Sequence, residues 1–487
     1  MRGRRRIGRA VLAGALILAA VLAVGFATLA VPLALSAAAT ASVFALEGAA
    51  LVWLGLRQGR LLPQLGGALL QGAAGFAWLL AVSDGSQPSL AVLNPVFIGA
   101  LLLALAGGIS SVCCHREGRA QPALAWYLWA LGWLTLAVAW EIVHFLVLQY
   151  RADALLVQAA ITAWMAAQAG RRFPLQALRI TAVMALLMLL PLMLLQVDAH
   201  DQPFAGWGAL AWLVVLVSGI NSLHCLRQGS GWLTLLAHYI WWLLWASALS
   251  ICLWVLVRST ALGHSWASAA AIAPWLLLAG LLQWRWPLIT APLQAASRHG
   301  RMWLQGAVMG VLGCWWLVSV AGRGQVEPLP WIVLLNPLEL TLGAALVLSL
   351  LWLREHHQGL LPARVRQVLA AAAVLLLLST CALRAVHHLG GVAWSSVLAS
   401  VAGQTSLTLL WSVLGMAGWI AGSRRGNRSI WLAGAVLMAV VLLKLLLIDR
   451  SHLGNLLGIA SFIGYGLLAT VVGYFAPVPP RTGDLAS

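Results

Sequence analysis

Acidic side chains are scarce in this chain, with 12 Asp and Glu among 487 residues, and only 8% of positions carry any charge. So few charges could not keep a soluble surface of this size wetted, which excludes an ordinary water-soluble globular protein. No Gly-Lys-Ser/Thr sequence is present, so the local signature of a phosphate-binding nucleotide loop is missing. The six cysteines, Cys113, Cys114, Cys225, Cys252, Cys314 and Cys381, show no CxxC spacing. They fit buried thiols in spans better than a disulfide framework.

What fills the chain instead is hydrophobic, at 62% of residues. Apolar stretches recur from Arg9 to Phe475, each about as long as the 20 or so residues that cross a bilayer. Lipid offers the backbone no hydrogen-bond partners, so spanning units must be helices or a closed barrel, and these runs lack the alternation of barrel strands. The expected fold is therefore an all-α polytopic membrane protein with about 16 transmembrane helices. The expected spans are 10 to 30, 36 to 56, 62 to 83, 94 to 114, 122 to 146, 153 to 169, 175 to 196 and 205 to 225. They continue at 230 to 257, 266 to 284, 302 to 321, 333 to 352, 365 to 388, 396 to 420, 429 to 448 and 453 to 475.

Basic residues orient the spans, because cytoplasmic loops retain Arg and Lys. With the N-terminus inside, alternate connections hold 23 of the 29 basic residues, among them Arg57, Arg60, Arg116, Arg119, Arg171, Arg172, Arg227, Arg301, Arg354, Arg424 and Arg428. Only Arg151, Arg258, Arg323, Arg384 and Arg450 fall outside, and Lys444 is embedded. Both termini are expected in the cytoplasm of a bacterium, with the chain in its inner membrane. The formal charge of +17 is then spread over loops that face anionic headgroups, and no nucleic-acid site is implied. Residues 1-35 read as a retained signal-anchor helix, since the apolar run exceeds a normal signal-peptide core.

The two halves share ordered matches. Arg57-Gln-Gly-Arg60 returns as Arg298-His-Gly-Arg301, Leu93-Asn94-Pro95 as Leu335-Asn336-Pro337, His144 as His387, and Arg171-Arg172 as Arg424-Arg425. Eight expected helices separate equivalent positions, so the repeat is parallel. Residues 36-265 form the first membrane repeat, 266-475 the second, and 476-487 a disordered cytoplasmic tail. Each Asn-Pro pair reads as a helix start, with Asn capping free amides and Pro in the first turn.

Two stretches resemble a known family. LAVPLALS from Leu29 and LEGAALVWLGLRQGR from Leu46 to Arg60 are similar to the bacterial predicted membrane-protein family catalogued as domain of unknown function 2339. So is the C-terminal region, with Trp411, Gly415, Gly422, the Arg424, Arg425, Arg428 turn, LLKLLLID ending at Asp449, and SFIGYGLLATVVGY from Ser461 to Tyr474. Members are usually longer, so the chain looks like the family's C-terminal part. The resemblance implies a multipass inner-membrane protein and supplies no reaction.

An ionisable group within a span costs about 2.5–3.5 kcal/mol at the bilayer centre on insertion scales, so each needs a partner, a wet cavity or a purpose. Those present are Glu47, Glu141, His144, Glu339, Arg384, His387, Lys444 and Asp449. Glu47 lies mid-span; the others cluster toward the outer interface. They form the candidate cavity or ion-pair set, with Arg384 and Lys444 balancing the carboxylates and Glu47 foremost. Snorkelling is the alternative for Lys444.

Glu141 and His144, three apart on one helix face, have metal-ligand spacing. The equivalent positions hold Arg384 and His387, so a hydrogen-bonded pair is preferred and no metal or cofactor is expected. A zinc site joining Cys113, Cys114 and His115 to His224 and Cys225 gives way in the same manner to ordinary thiols. Trp126, Trp241, Trp315 and Trp331 read as interfacial anchors. The leading functional expectation is a transporter or flippase-like protein of the envelope with a periplasm-facing polar cavity. A membrane-embedded transferase or hydrolase acting on a lipid-linked substrate, or a non-catalytic scaffold, are the alternatives. The expected partners are the lipid bilayer and other envelope membrane proteins, with no nucleic acid and no nucleotide.

Overall fold

The computed structural model describes residues 37–83, 90–173, 175–227, 231–290, 298–355 and 362–449, with isolated helical residues between 463 and 474. The helix expected at 10 to 30, nearly all of that at 453 to 475, and the tail lie outside the described residues. Among the described residues every regular element is helical. The first unit's helices are α1 (Ala37–Arg57), α2 (Leu61–Ser83), α3 (Pro95–Arg116), α4 (Ala120–Phe145), α5 (Leu148–Arg172), α6 (Gln176–His200) and α7 (Gly208–Leu226). Next come α8 (Trp232–Arg258), α9 (His264–Trp284), the short α10 (Trp286–Thr290), α11 (Arg298–Ser319) and α12 (Pro337–Glu355). The series ends with α13 (Ala363–Gly390), a 3-10 turn (Trp394–Ala399), α14 (Val401–Arg424), α15 (Arg428–Lys444) and a π-helical turn (Leu445–Asp449).

Among the described residues, 13 helices are long and apolar enough to cross a membrane. The long helix that does not qualify is α5, where a span was expected, because it carries Asp153, Gln158 and Gln168. These side chains are turned onto neighbours: Gln196 donates to Asp153, Gln158 donates to the Thr135 carbonyl, and the Cys225 thiol donates to Gln168. The small residues Ala152, Ala160, Ala163, Ala167 and Gly170 form the buried stripe of α5 and let α6 and α7 approach closely.

The chain divides into two compact units, Met1–Ala237 and His238–Ser487. In unit 1, α1 lays a small-residue face of Ala41, Ala45, Gly48 and Val52 against α2. A methyl on Gly48 would stand 2.7 Å from the Gly67 carbonyl oxygen, so the backbones touch. Trp78 and Trp133 meet edge to face at 5.2 Å in the core of α1 to α4. Gln71 donates to Ser110 across α2 and α3 at 3.0 Å. Leu62, Leu65, Leu69 and Phe76 run as an exposed apolar stripe along α2, the arrangement a helix takes when its outer solvent is hydrocarbon.

In unit 2, Ile272, Trp275, Leu278 and Leu282 of α9 pack on Leu304, Val308 and Leu312 of α11. Helices α14 and α15 cross where Gly415 and Gly418 face Gly434 and Gly422 faces Trp431. The Asn-Pro pairs do start helices: Asn94 accepts the Phe97 amide at 2.8 Å, and Asn336 accepts the Glu339 amide at 2.9 Å. Because Asn336 fixes the start of α12 at Pro337, the expected span from 333 begins late. The α11 to α12 connection is correspondingly longer than the sequence suggested, running over 320–336.

Candidate functional site

In each unit the buried acids sit at the helix ends away from the arginine-rich turns. The α3 start in unit 1 shows how one is held. Val92 adopts a left-handed backbone (φ 65°), which turns its amide onto Glu141 of α4 at 3.0 Å. The Asn94 side-chain amide donates to the other Glu141 oxygen in a short hydrogen bond. Glu141 is thereby buried with both oxygens occupied. His144 does not bond it; its ring stacks on Trp140 at 4.7 Å.

Unit 2 builds the same turn with its charges moved. Leu334, two residues before Asn336 as Val92 is before Asn94, also has φ 65° and donates its amide to a carboxylate at 2.6 Å. That carboxylate is Glu339, from the first turn of α12 itself. The position matching Glu141 is Arg384 of α13, which faces Glu339 at 3.6 Å, with both side chains buried. Arg384 also donates to the carbonyls of Gly322 (2.9 Å), Val320 (2.8 Å) and Ser319 (3.4 Å). It therefore serves as counter-ion to Glu339 and as the brace of the connection after α11.

That connection is one wall of a cavity of about 470 Å³. Ser265 and Ser268 of α9, three residues apart on one helix face, line the opposite wall, with Trp394 and Leu338 closing it and His264, Arg323 and Gln325 at its polar lining. Backbone hydrogen bonds tie the walls together: Gly263 donates to the Glu327 carbonyl at 2.8 Å and Ser265 to that of Gln325 at 3.2 Å. His388 contacts the Arg323 carbonyl at 2.9 Å and stacks on Trp331. His387 contacts the Val392 carbonyl at 2.6 Å, fixing the turn after α13. Of the tryptophans expected as interfacial anchors, Trp315 donates to Ser268 and Trp331 stacks on His388.

The other expected residues lie apart from this cluster or outside description. Glu47 is exposed on α1, on the side away from the small-residue face, and among the described residues makes no hydrogen bond or ion pair. Lys444 is buried and donates to Thr408 (2.6 Å) and the Gln404 carbonyl (3.1 Å), so it points into α14. The side chain of Asp449 lies outside the described residues. Cys225 bonds Gln168, while Cys114 is buried with Val52 and Leu56, and among the described residues no His, Cys, Asp and Glu group has metal-binding geometry.

Sequence reasoning missed a second buried acid in unit 1. Asp153 accepts from Gln196 at 2.6 Å and meets His200 at 3.2 Å, and Gln196 accepts the Trp212 indole at 2.9 Å. Asp153 opens a weakly apolar helix, and read singly it looks like a loop residue. Serines 265 and 268 were missed because hydroxyls in spans usually bond their own helix. A larger groove in unit 1, about 710 Å³ along α4 and α5, is lined mainly by apolar groups such as Leu128, Trp133 and Leu136, and it lies away from these polar clusters.

A chain of long apolar helices that turns most of its described buried acids and bases inward onto partners, Glu47 remaining exposed, is a multipass, all-helical membrane protein. It belongs to the predicted membrane protein family DUF2339, whose model matches residues 1–151 and 123–479. No curated protein and no solved structure matches the chain.

Proposed function

We propose that this protein is a transporter or flippase-like protein of the bacterial inner membrane, with both termini cytoplasmic and the unit 2 cavity opening to the periplasm. The observation that carries the reading is the cavity itself, a polar recess of about 470 Å³ at the end of otherwise apolar spans, opposite the arginine-rich turns. Its wall is held by buried Arg384 and not by a loop free to collapse. Parallel duplication, supported by the matching turns at Val92 and Leu334, is common among transporters. Glu47, exposed mid-span, is the proposed ionisable group of such a cycle.

The chemistry of the walls favours binding over bond cleavage. A hydrolase or transferase needs an acid or base within reach of its substrate. Among the described residues no carboxylate lines this cavity, Glu339 behind it is held by Leu334 and Arg384, and the imidazole of the lining, His264, packs edge-on to Trp254 with no carboxylate to orient it. The test is the purified chain in vesicles carrying a fluorescent phospholipid, with a membrane-impermeant quencher outside. Faster transbilayer movement, with the lipid recovered unaltered, is expected. A chemically altered lipid would replace this reading with the enzymatic one, and neither movement nor alteration would leave a scaffold.

A further inference from the structure

The first turn of α9 has an unusual hydroxyl. Ser265 is 2% exposed, yet its side-chain oxygen has no hydrogen-bond partner among the described residues and it lines the cavity. Ser268, one turn on, accepts the Trp315 indole at 3.2 Å and makes no other side-chain hydrogen bond there, so its proton is free to donate. Both hydroxyls open onto the cavity, and neither donates to an acceptor among the described residues, so each can donate to an acceptor from outside the chain.

The charges at the cavity call for the same thing. Arg323 lines it, is exposed, and has no acidic partner among the described residues. His264 is a second group able to carry positive charge, edge-on to Trp254 at 5.3 Å. Gly263 caps α9 without a side-chain oxygen; the Gly263 and Ser265 amides already donate to the Glu327 and Gln325 carbonyls, so the helix end contributes only its dipole. Of the acids nearby, Glu327 packs against Gly263 and Glu339 is held by Leu334 and Arg384, and neither is part of the lining. Cationic groups and hydroxyl donors without carboxylates match a phosphate, while Trp394, Leu338 and Val318 match something apolar attached to it.

We propose that the cavity between α9 and the 320–325 segment binds a phosphate ester, the phosphoryl headgroup of a membrane lipid, through Ser265, Ser268 and Arg323. This rests on reading the cavity as a substrate pocket and names its substrate class. Full-length protein in detergent is titrated with dihexanoyl phosphatidylglycerol, inorganic phosphate and phosphate-free dihexanoylglycerol. Saturable binding of the phospholipid is expected, weakened about tenfold by Ser265→Ala and by Arg323→Gln. Inorganic phosphate competing only weakly identifies a lipid headgroup as the source; phosphate binding as well as the lipid identifies free phosphate. Equal binding of dihexanoylglycerol, or unchanged affinity in both variants, overturns the proposal. Headgroup binding without transbilayer movement would refute the transport reading alone, and movement without headgroup binding would refute this one.

Discussion

Reversing the Arg384 charge tests how unit 2 relocates the carboxylate of unit 1. Arg384 is fully enclosed and Glu339 is 4% exposed, so neither charge finds water if the other is lost. Removing one partner of a buried pair costs about 3–5 kcal/mol. Arg384→Glu goes further, setting two carboxylates side by side and stripping three backbone carbonyls of their donor. Adding Glu339→Leu should repair part of this damage. The new carboxylate at position 384 would then stand where Glu141 stands in unit 1, able to accept from Leu334 and from the Asn336 amide, which has no partner at present. The double variant should recover about 2 kcal/mol over Arg384→Glu, but not wild-type stability, because the carbonyls of Ser319, Val320 and Gly322 remain unbraced. Detergent-solubilised protein titrated with SDS and followed by circular dichroism gives the order: wild type, then double variant, then single. A double variant no more stable than the single would refute the equivalence of positions 141 and 384.

Glu141→Ala should destabilise unit 1 by about 1–3 kcal/mol by orphaning the Val92 amide and leaving the Asn94 side-chain amide only its longer bond to the Leu90 carbonyl, read in the same titration. Gln196→Leu removes both the donor to Asp153 and the acceptor of Trp212, and should cost at least about 2 kcal/mol with a change in indole fluorescence. Gly48→Ala would drive a methyl against the Gly67 carbonyl and Gln71, separating α1 from α2 at about 1–3 kcal/mol, whereas Gly72→Ala, which meets open space, should be nearly neutral.

Helix positions were readable because the signals are local. Apolar length, arginine-rich turns and the Asn-Pro starts fixed most helix ends to within a few residues. Where polar residues are internalised the sequence showed the helix but not its contacts: a span was expected at 153 to 169, and only the packing of α4 on Gln158 and of α6 on Asp153 explains those two residues. The candidate site was half visible. Glu339 and Arg384 stood out as ionisable groups in apolar surroundings, and the structure pairs them. Ser265, Ser268 and Arg323 carry no spacing signature, since they meet only when the 320–336 connection folds back on α9. Glu47 shows the opposite failure, a conspicuous acid for which the described helices provide no partner.

The proposed periplasmic opening of the unit 2 cavity would let water reach its polar lining from that side. Gln325→Cys, in a chain whose six native cysteines are replaced by serine, tests it with a membrane-impermeant maleimide applied to cells with a permeable outer membrane. Rapid labelling is expected before the inner membrane is disrupted, slowed by dihexanoyl phosphatidylglycerol. Labelling only after disruption, or only in inverted vesicles, would contradict it.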